Sequence, residues 1–163
     1  MVYIEEKKLR EKTCDWIFKK YRKRIVGKPV NLHELKLTVT EYLCKRFTSD
    51  ILRLIPSYEK MDVEPDILAL IRLKCDLLST VIAECKVDPI SVRDLRQALD
   101  YARVCRSFQA YLIYFGHLTR PVIKRLRSDD ITYSGYNDYG NLTIKRLILV
   151  RYYGDNTFKI TRL

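Results

Sequence analysis

The chain has 163 residues, 47% of them apolar, with 31 Lys/Arg against 20 Asp/Glu for a formal net charge of +11. The charge is segregated: residues 1–28 hold ten bases against four acids, residues 29–100 ten against twelve, and residues 101–163 eleven against four. This length and apolar content exclude a disordered chain and allow one domain with an unstapled core, the longest uncharged stretch (107–119) is too short and polar to span a membrane, and two basic ends around a near-neutral middle point to a polyanion partner.

Leu9, Thr13, Trp16, Ile17, Tyr21 and Ile25 fall three or four apart and predict a first helix, with Lys8, Lys12, Lys19 and Lys23 on its other face. Gly27-Lys28-Pro29 ends it, because Gly suits a C-cap and Pro cannot continue a helix. Asn31, with Glu34 three residues on, caps a second helix through Leu32, Leu35, Val39, Tyr42, Leu43, Phe47, Ile51 and Leu54, stopped by Pro56. A third is expected from Pro65, where Ile67, Leu68, Leu70, Ile71, Leu73, Leu77, Leu78, Val81 and Ile82 cover most of the circumference, as in an enclosed helix. Ser91 and Asp94 start a fourth, carried by Val92, Leu95, Leu99, Ala102, Phe108 and Leu112 up to Gly116. The expected fold class is therefore mainly α, a four-helix-type bundle over residues 1–128.

After Pro121 the texture changes. Residues 122–127 predict a short basic helix or turn, and residues 129–141, with Tyr133, Tyr136 and Tyr139 among Gly and Asn, predict loop. Leu142 to Tyr153 is rich in β-branched and aromatic residues, and Gly154-Asp155-Asn156 can turn it into Thr157 to Leu163, so residues 129–163 form a small β element ending in a hairpin. A lone hairpin is marginal in water. It must lie on the bundle, gain a strand from residues 130–136, or join a partner's sheet. Leu147, Leu149 and Tyr153 share one strand face and are the candidate protein interface.

The opening residues lack a signal peptide's apolar run, so the expectation is an intracellular chain, cytoplasmic or nucleoid-associated. Five widely spaced cysteines without a C-x-x-C read as small buried apolar residues on helices. Glutamine occurs only at Gln97 and Gln109, while Lys, Arg, Ile and Tyr are plentiful, which leans toward a thermophile; one intracellular disulfide stays open in that case.

Catalytic residues are scarce in this reading. His33 and His117 are unclustered and read as structural or surface side chains, and no glycine-rich phosphate loop exists. Glu59, Asp62, Glu64 and Asp66 precede or flank the expected third helix, and Asp129-Asp130 come later. Acids at a helix start complement its dipole; the alternative is a nuclease-like metal site involving Asp62 or Asp66. The expectation is a chain that is not an enzyme, with no cofactor and no metal.

The basic segments carry the functional reading. Lys19, Lys20, Arg22, Lys23 and Arg24 are interleaved with Trp16, Phe18 and Tyr21, and Arg120, Lys124, Arg125 and Arg127 form a second cluster before the tyrosines. Cations neutralise phosphates and aromatic rings stack on bases, so these nine residues are the candidate nucleic-acid contacts, the alternative being a solvated helix face.

Helices followed by a basic β element resemble the GINS subunits of archaeal and eukaryotic replication. Leu99-Asp100-Tyr101-Ala102-Arg103-Val104-Cys105-Arg106-Ser107-Phe108-Gln109-Ala110-Tyr111-Leu112 resembles the last long helix of that helical domain, and Ile144-Lys145-Arg146-Leu147-Ile148-Leu149-Val150-Arg151-Tyr152-Tyr153-Gly154 the opening strand and turn of its β domain. The resemblance implies a non-catalytic subunit of a hetero-oligomer whose partners are another GINS subunit, the MCM helicase and a RecJ-like protein, with DNA nearby and no membrane. The alternative from another class is a DNA-packaging protein such as a capsid subunit of an archaeal filamentous virus.

Overall fold

In the computed structural model, which describes residues 4–128 and 131–163, the chain is an α/β protein and not a helical bundle. Helix α1 (Glu6–Lys20) leads into β1 (Val30–Asn31), then three short helices, α2 (Leu32–Leu35), α3 (Val39–Arg46) and α4 (Ser49–Leu52), and a 3-10 turn at Tyr58–Lys60. Strands β2 (Ile67–Arg72) and β3 (Leu78–Lys86) follow, then α5 (Val92–Cys105), β4 (Gln109–Tyr114), α6 (Arg120–Arg127), β5 (Thr132–Tyr136), β6 (Leu142–Arg146), β7 (Ile148–Tyr152) and β8 (Phe158–Ile160).

Six strands form one mixed sheet in the order β1-β2-β3-β4-β7-β8. The β3–β4 and β4–β7 pairs are parallel and the others antiparallel. A parallel neighbour needs a crossover, and α5 supplies it between β3 and β4. Strands β5 and β6 make a separate two-stranded antiparallel sheet.

The expected third helix is the β2–β3 hairpin, and its circumferential apolar pattern is the signature of a central strand pair. Ile67 to Ile71 and Leu78 to Cys85 are buried on both faces of the sheet. On one face Ile67, Ala69, Ile71, Val81 and Ala83 meet Leu9, Ile17 and Tyr21 of the first helical segment. On the other, Leu68, Leu70, Leu78 and Ile82 meet Val39, Leu43, Leu95, Leu99 and Val122. A continuous apolar run bounded by turn residues suits a strand covered on both sides as well as an enclosed helix. The turn is local: Asp76 takes a left-handed φ of 70° and its N–H donates to the Leu73 carbonyl.

The second and fourth expected helices are interrupted. Lys36 is left-handed at the end of α2, and Thr38 then starts α3 with a reciprocal capping box to Glu41. Ser91 and Asp94 form the capping box that starts α5, as their spacing predicts, but α5 stops at left-handed Arg106, and Gln109 to Tyr114 is strand. The first helix ends at Lys20, before Gly27; Ile25 then bridges to Ile71.

The C-terminal β segment is built into the domain. Leu142–Arg146 pairs with β5 and Ile148–Tyr152 with β4, while a turn at Gly154–Asn156 returns β8 along β7. Leu147 and Leu149, expected to face a partner, are 1% and 4% exposed and belong to this chain's own core; Tyr153 remains outside at 55%. The exposed aliphatic residues of this region are Leu142 and Ile144 on β6, Ile160 on β8 and Leu163. No helix among the described residues is long and apolar enough to cross a membrane.

Helix α1 is fastened to the sheet at its C-terminal end. Trp16 meets the Tyr111 ring edge-on at 5.1 Å and stacks on Phe158 at 5.2 Å, and the Tyr21 and Tyr111 hydroxyls lie 2.6 Å apart. Burying Leu9, Ile17 and Tyr21 contributes roughly 1.5–3 kcal/mol each. This seats the N-terminal turn of α1 beside the open ends of β2 and β3.

Candidate active site

The antiparallel register that pairs Ile67 with Ala83 brings Asp66, just before β2, opposite Glu84 on β3. Side chains two apart on a strand share a face, so Lys86 follows Glu84 along the same side. Asp66, Glu84 and Lys86 thus converge at the end of two adjacent central strands. Asp66 is 6% exposed and Glu84 2%.

Asp66 is held from three directions. Its Oδ2 accepts the Cys85 N–H at 2.8 Å, while Arg10 Nη1 and His33 Nδ1 lie 4.0 and 3.9 Å from Oδ1. Arg10 is itself buried and donates to Glu6 at 2.7 Å across one helical turn. Glu84 is less satisfied: Lys86 Nζ stands 3.9 Å from Oε2, and Oε1 is buried with no hydrogen-bond partner. Lys86 Nζ is also 4.0 Å from Asp94 Oδ1 at the start of α5.

Burial first, then the charge of Asp66 and a hydrogen bond with its side chain, push the Glu84 carboxyl well above the ordinary carboxylate range, against the pull of Lys86 and of the Asp66 backbone. For Lys86, burial lowers the ammonium, but Glu84, Asp66, Asp94 and Glu6 together outweigh it and raise it. Tyr101 on α5 faces the same field: burial raises its hydroxyl, the amide of Gln97 donating at 2.9 Å opposes this, and Glu84, Asp66 and Glu64 raise it further. Gln97 and Tyr101 also line a cavity of about 410 Å³ with Arg93 and Arg96.

Two buried carboxylates facing one another, one oxygen unpartnered, with a lysine beside them, suit a divalent cation. Among the described residues no three His, Cys, Asp or Glu side chains converge on one point, so a closed metal cage is not present. Mg²⁺ does not require one: it is bound by one or two carboxylates and keeps waters and substrate phosphate oxygens in its remaining positions. A closed zinc site needs four ligands, which this donor set does not supply.

Of the acids singled out in the sequence, only Asp66 enters this cluster. Glu59 and Asp62 are exposed, Glu64 contributes charge from the rim, and Asp129 and Asp130 lie outside the described residues. The helix-dipole reading of Asp66 lapses because a strand follows it. Glu84 and Lys86 escaped notice because i, i+2 spacing places two side chains together on a strand but not on a helix.

The expected nucleic-acid contacts divide into two groups. Lys19 and Lys20 are exposed at the far end of α1, about 13–15 Å along its axis from Arg10 at 1.5 Å per residue, and Arg22 and Lys23 are exposed in the turn that follows. Arg24 is engaged within the fold: it pairs with Asp138, donates to the Arg72 carbonyl at 3.3 Å and lies over the Phe108 ring at 4.8 Å. Arg120, Lys124 and Arg127 are exposed on α6, and Arg125 is half-buried. Tyr133 and Tyr136 are buried on β5, where the sequence predicts loop, and Tyr139 is exposed. The quoted segment 99–112 runs from α5 into β4, and 144–154 runs from β6 into β7.

Comparison with family models, with curated proteins and with solved structures finds no match to this chain.

Proposed function

We propose that the chain is a divalent-metal-dependent phosphodiesterase acting on nucleic acid, with Asp66 and Glu84 as the metal-binding carboxylates and Lys86 as the charge-stabilising group. This departs from the non-catalytic reading of the sequence and keeps its polyanion partner. The observation that carries it is the buried Asp66–Glu84 pair with Glu84 Oε1 unpartnered. Lys86 and Arg10 approach the pair only to 3.9 and 4.0 Å, and Glu84 Oε1 keeps its lone pairs unused, so the pair can still accept a cation.

A bound Mg²⁺ or Mn²⁺ supplies Lewis-acid polarisation of a phosphoryl oxygen and acidifies a water ligand. Asp66 and Glu84 would hold that cation. Lys86 Nζ, 3.9 Å from Glu84 Oε2, would compensate negative charge on a phosphate bound beside the carboxylates. Arg10 positions Asp66 through Oδ1. The +11 net charge draws a polyanionic substrate toward it.

The test is cleavage of labelled single- and double-stranded oligonucleotides in Mg²⁺ or Mn²⁺. The wild-type chain should cut and lose activity in EDTA. Asp66→Asn, which keeps an oxygen for the Cys85 N–H, should fold and be at least about 10²-fold slower. Equal rates for Asp66→Asn and wild type, or no cleavage under any of these conditions, contradict the reading.

A further inference from the structure

Lys86 is one member of a row that crosses the sheet. The strand registers align it with Tyr114 on β4, Tyr114 with Arg151 on β7, and Arg151 with Lys159 on β8. Neighbouring strands are about 4.8 Å apart, so Arg151 stands about 10 Å and Lys159 about 14 Å from Lys86. At the far end of this row a concavity of about 460 Å³ opens between the sheet and α6, and Arg151, Tyr153, Lys159, Arg162 and His117 are among its lining residues.

The charged side chains of that concavity, Arg151, Lys159 and Arg162, are all basic and are set among apolar Leu118, Ile123, Ile160 and Leu163. The Arg151 guanidinium lies 5.0 Å and the Lys159 ammonium 5.4 Å from the centre of the same ring, Tyr153, which is 55% exposed. Arg151 Nε is buried with no hydrogen-bond partner. Among the described residues no carboxylate lies within ion-pair distance of Arg151, Lys159 or Arg162. An ordinary solvated surface disperses its cations or interleaves them with acids. Two cations converging on one ring, with a buried donor left over, call for an anion that carries a flat group.

We infer that this concavity is a substrate-strand subsite, in which Arg151, Lys159 and Arg162 take backbone phosphates and Tyr153 stacks on a base of a single-stranded nucleic acid. The inference rests on the nucleic-acid substrate proposed above, and gives Tyr153 a role other than the protein interface expected from the sequence. Single strand is favoured over duplex because only an unpaired base offers its face to a ring. At about 10–14 Å from Lys86, the subsite holds the strand a short way along from the scissile phosphate. The exposed cations Arg120, Lys124 and Arg127 lie on α6, whose Ile123 lines the same concavity.

Binding is measured by fluorescence anisotropy with a labelled single-stranded oligonucleotide, using the full chain in EDTA so that no cleavage is required. Tyr153→Ala should weaken binding roughly 5- to 150-fold, the loss of one base stack, and Tyr153→Phe, which keeps the ring, should restore it. The double variant Lys159→Gln/Arg162→Gln alters two exposed side chains and should make the slope of log K against log salt shallower by about 1.4. Unchanged affinity in Tyr153→Ala together with an unchanged slope in the double variant overturns the inference. Weakened binding in these variants alongside no cleavage by wild type in Mg²⁺ sustains the subsite and removes the catalytic reading, so the two fail separately.

Discussion

Replacing Glu84 by Gln should stabilise the metal-free protein while removing its response to metal. Glu84 and Asp66 stand opposite one another in an antiparallel pair, where facing side chains start about 5 Å apart. Two full charges at that separation repel by about 3 kcal/mol at an effective dielectric near 20. Lys86 at 3.9 Å attracts Glu84 about as strongly on the same scale, so the pairwise charges nearly cancel, and the amide gains about 1–2 kcal/mol because it ends the burial of a charged carboxylate. For a domain of this size that is about 2–8 °C in melting temperature.

The sign depends on pH. Burial, and then the Asp66 charge, hold the Glu84 carboxyl well above its ordinary value of 4.5, so folding favours its protonated form. The stability this contributes is fully present below 4.5 and is lost as pH rises through the folded-state value. Glu84→Gln does not titrate, so its advantage should be small near pH 4.5 and largest at pH 8. Mg²⁺ at 100 times its Kd should stabilise wild type by about 2.7 kcal/mol and leave the variant unmoved. Thermal denaturation at both pH values, with and without Mg²⁺, reads all four quantities. A variant less stable than wild type at pH 8 without metal, or an equal Mg²⁺ effect on both proteins, refutes the reasoning.

Lys86→Met should lower kcat by about 10²–10³ while retaining Mg²⁺-induced stabilisation, because the lysine acts on charge in the transition state and the carboxylates hold the cation; single-turnover cleavage and melting curves check both halves. Leu149→Ala should cost about 2–5 kcal/mol in urea denaturation, since Leu149 is 4% exposed in the core, and a neutral result would return it to the surface role expected from the sequence. Ser91→Ala removes one half of the box that starts α5 and should cost about 1 kcal/mol by the same measurement.

The polar start signals in the sequence held at the positions where they are local. Ser91 with Asp94 starts α5, Asn31 accepts the Glu34 N–H, and Gly154-Asp155-Asn156 turns the chain, because each depends on neighbours within a few residues. What failed was period. Ile67-Leu68-Ala69-Leu70-Ile71 is apolar at every position, so helix and doubly covered strand fit it equally, and the choice is made by the helices that arrive on both faces. That single misassignment hid the site. Read as helix, Asp66 is a dipole partner and Glu84 and Lys86 lie on different faces; read as strand, the three side chains meet.

The basic clusters were legible as surface charge, and most of those residues are exposed. The subsite at Tyr153 was not, because Arg151, Lys159 and Tyr153 come together through the β7–β8 register and a turn, which no spacing along one strand reveals.

The most direct test is the position of Mn²⁺ in crystals of the protein, located by its anomalous scattering. A peak bridging the Asp66 and Glu84 carboxylates, at roughly 2.0–2.3 Å from an oxygen of each and lost in Glu84→Gln crystals, is the expected result. Crystals grown in saturating Mn²⁺ with no peak between those carboxylates, and with Lys86 closed onto Glu84 in its place, would make the cluster a buried ion-pair network and contradict a metal-dependent site.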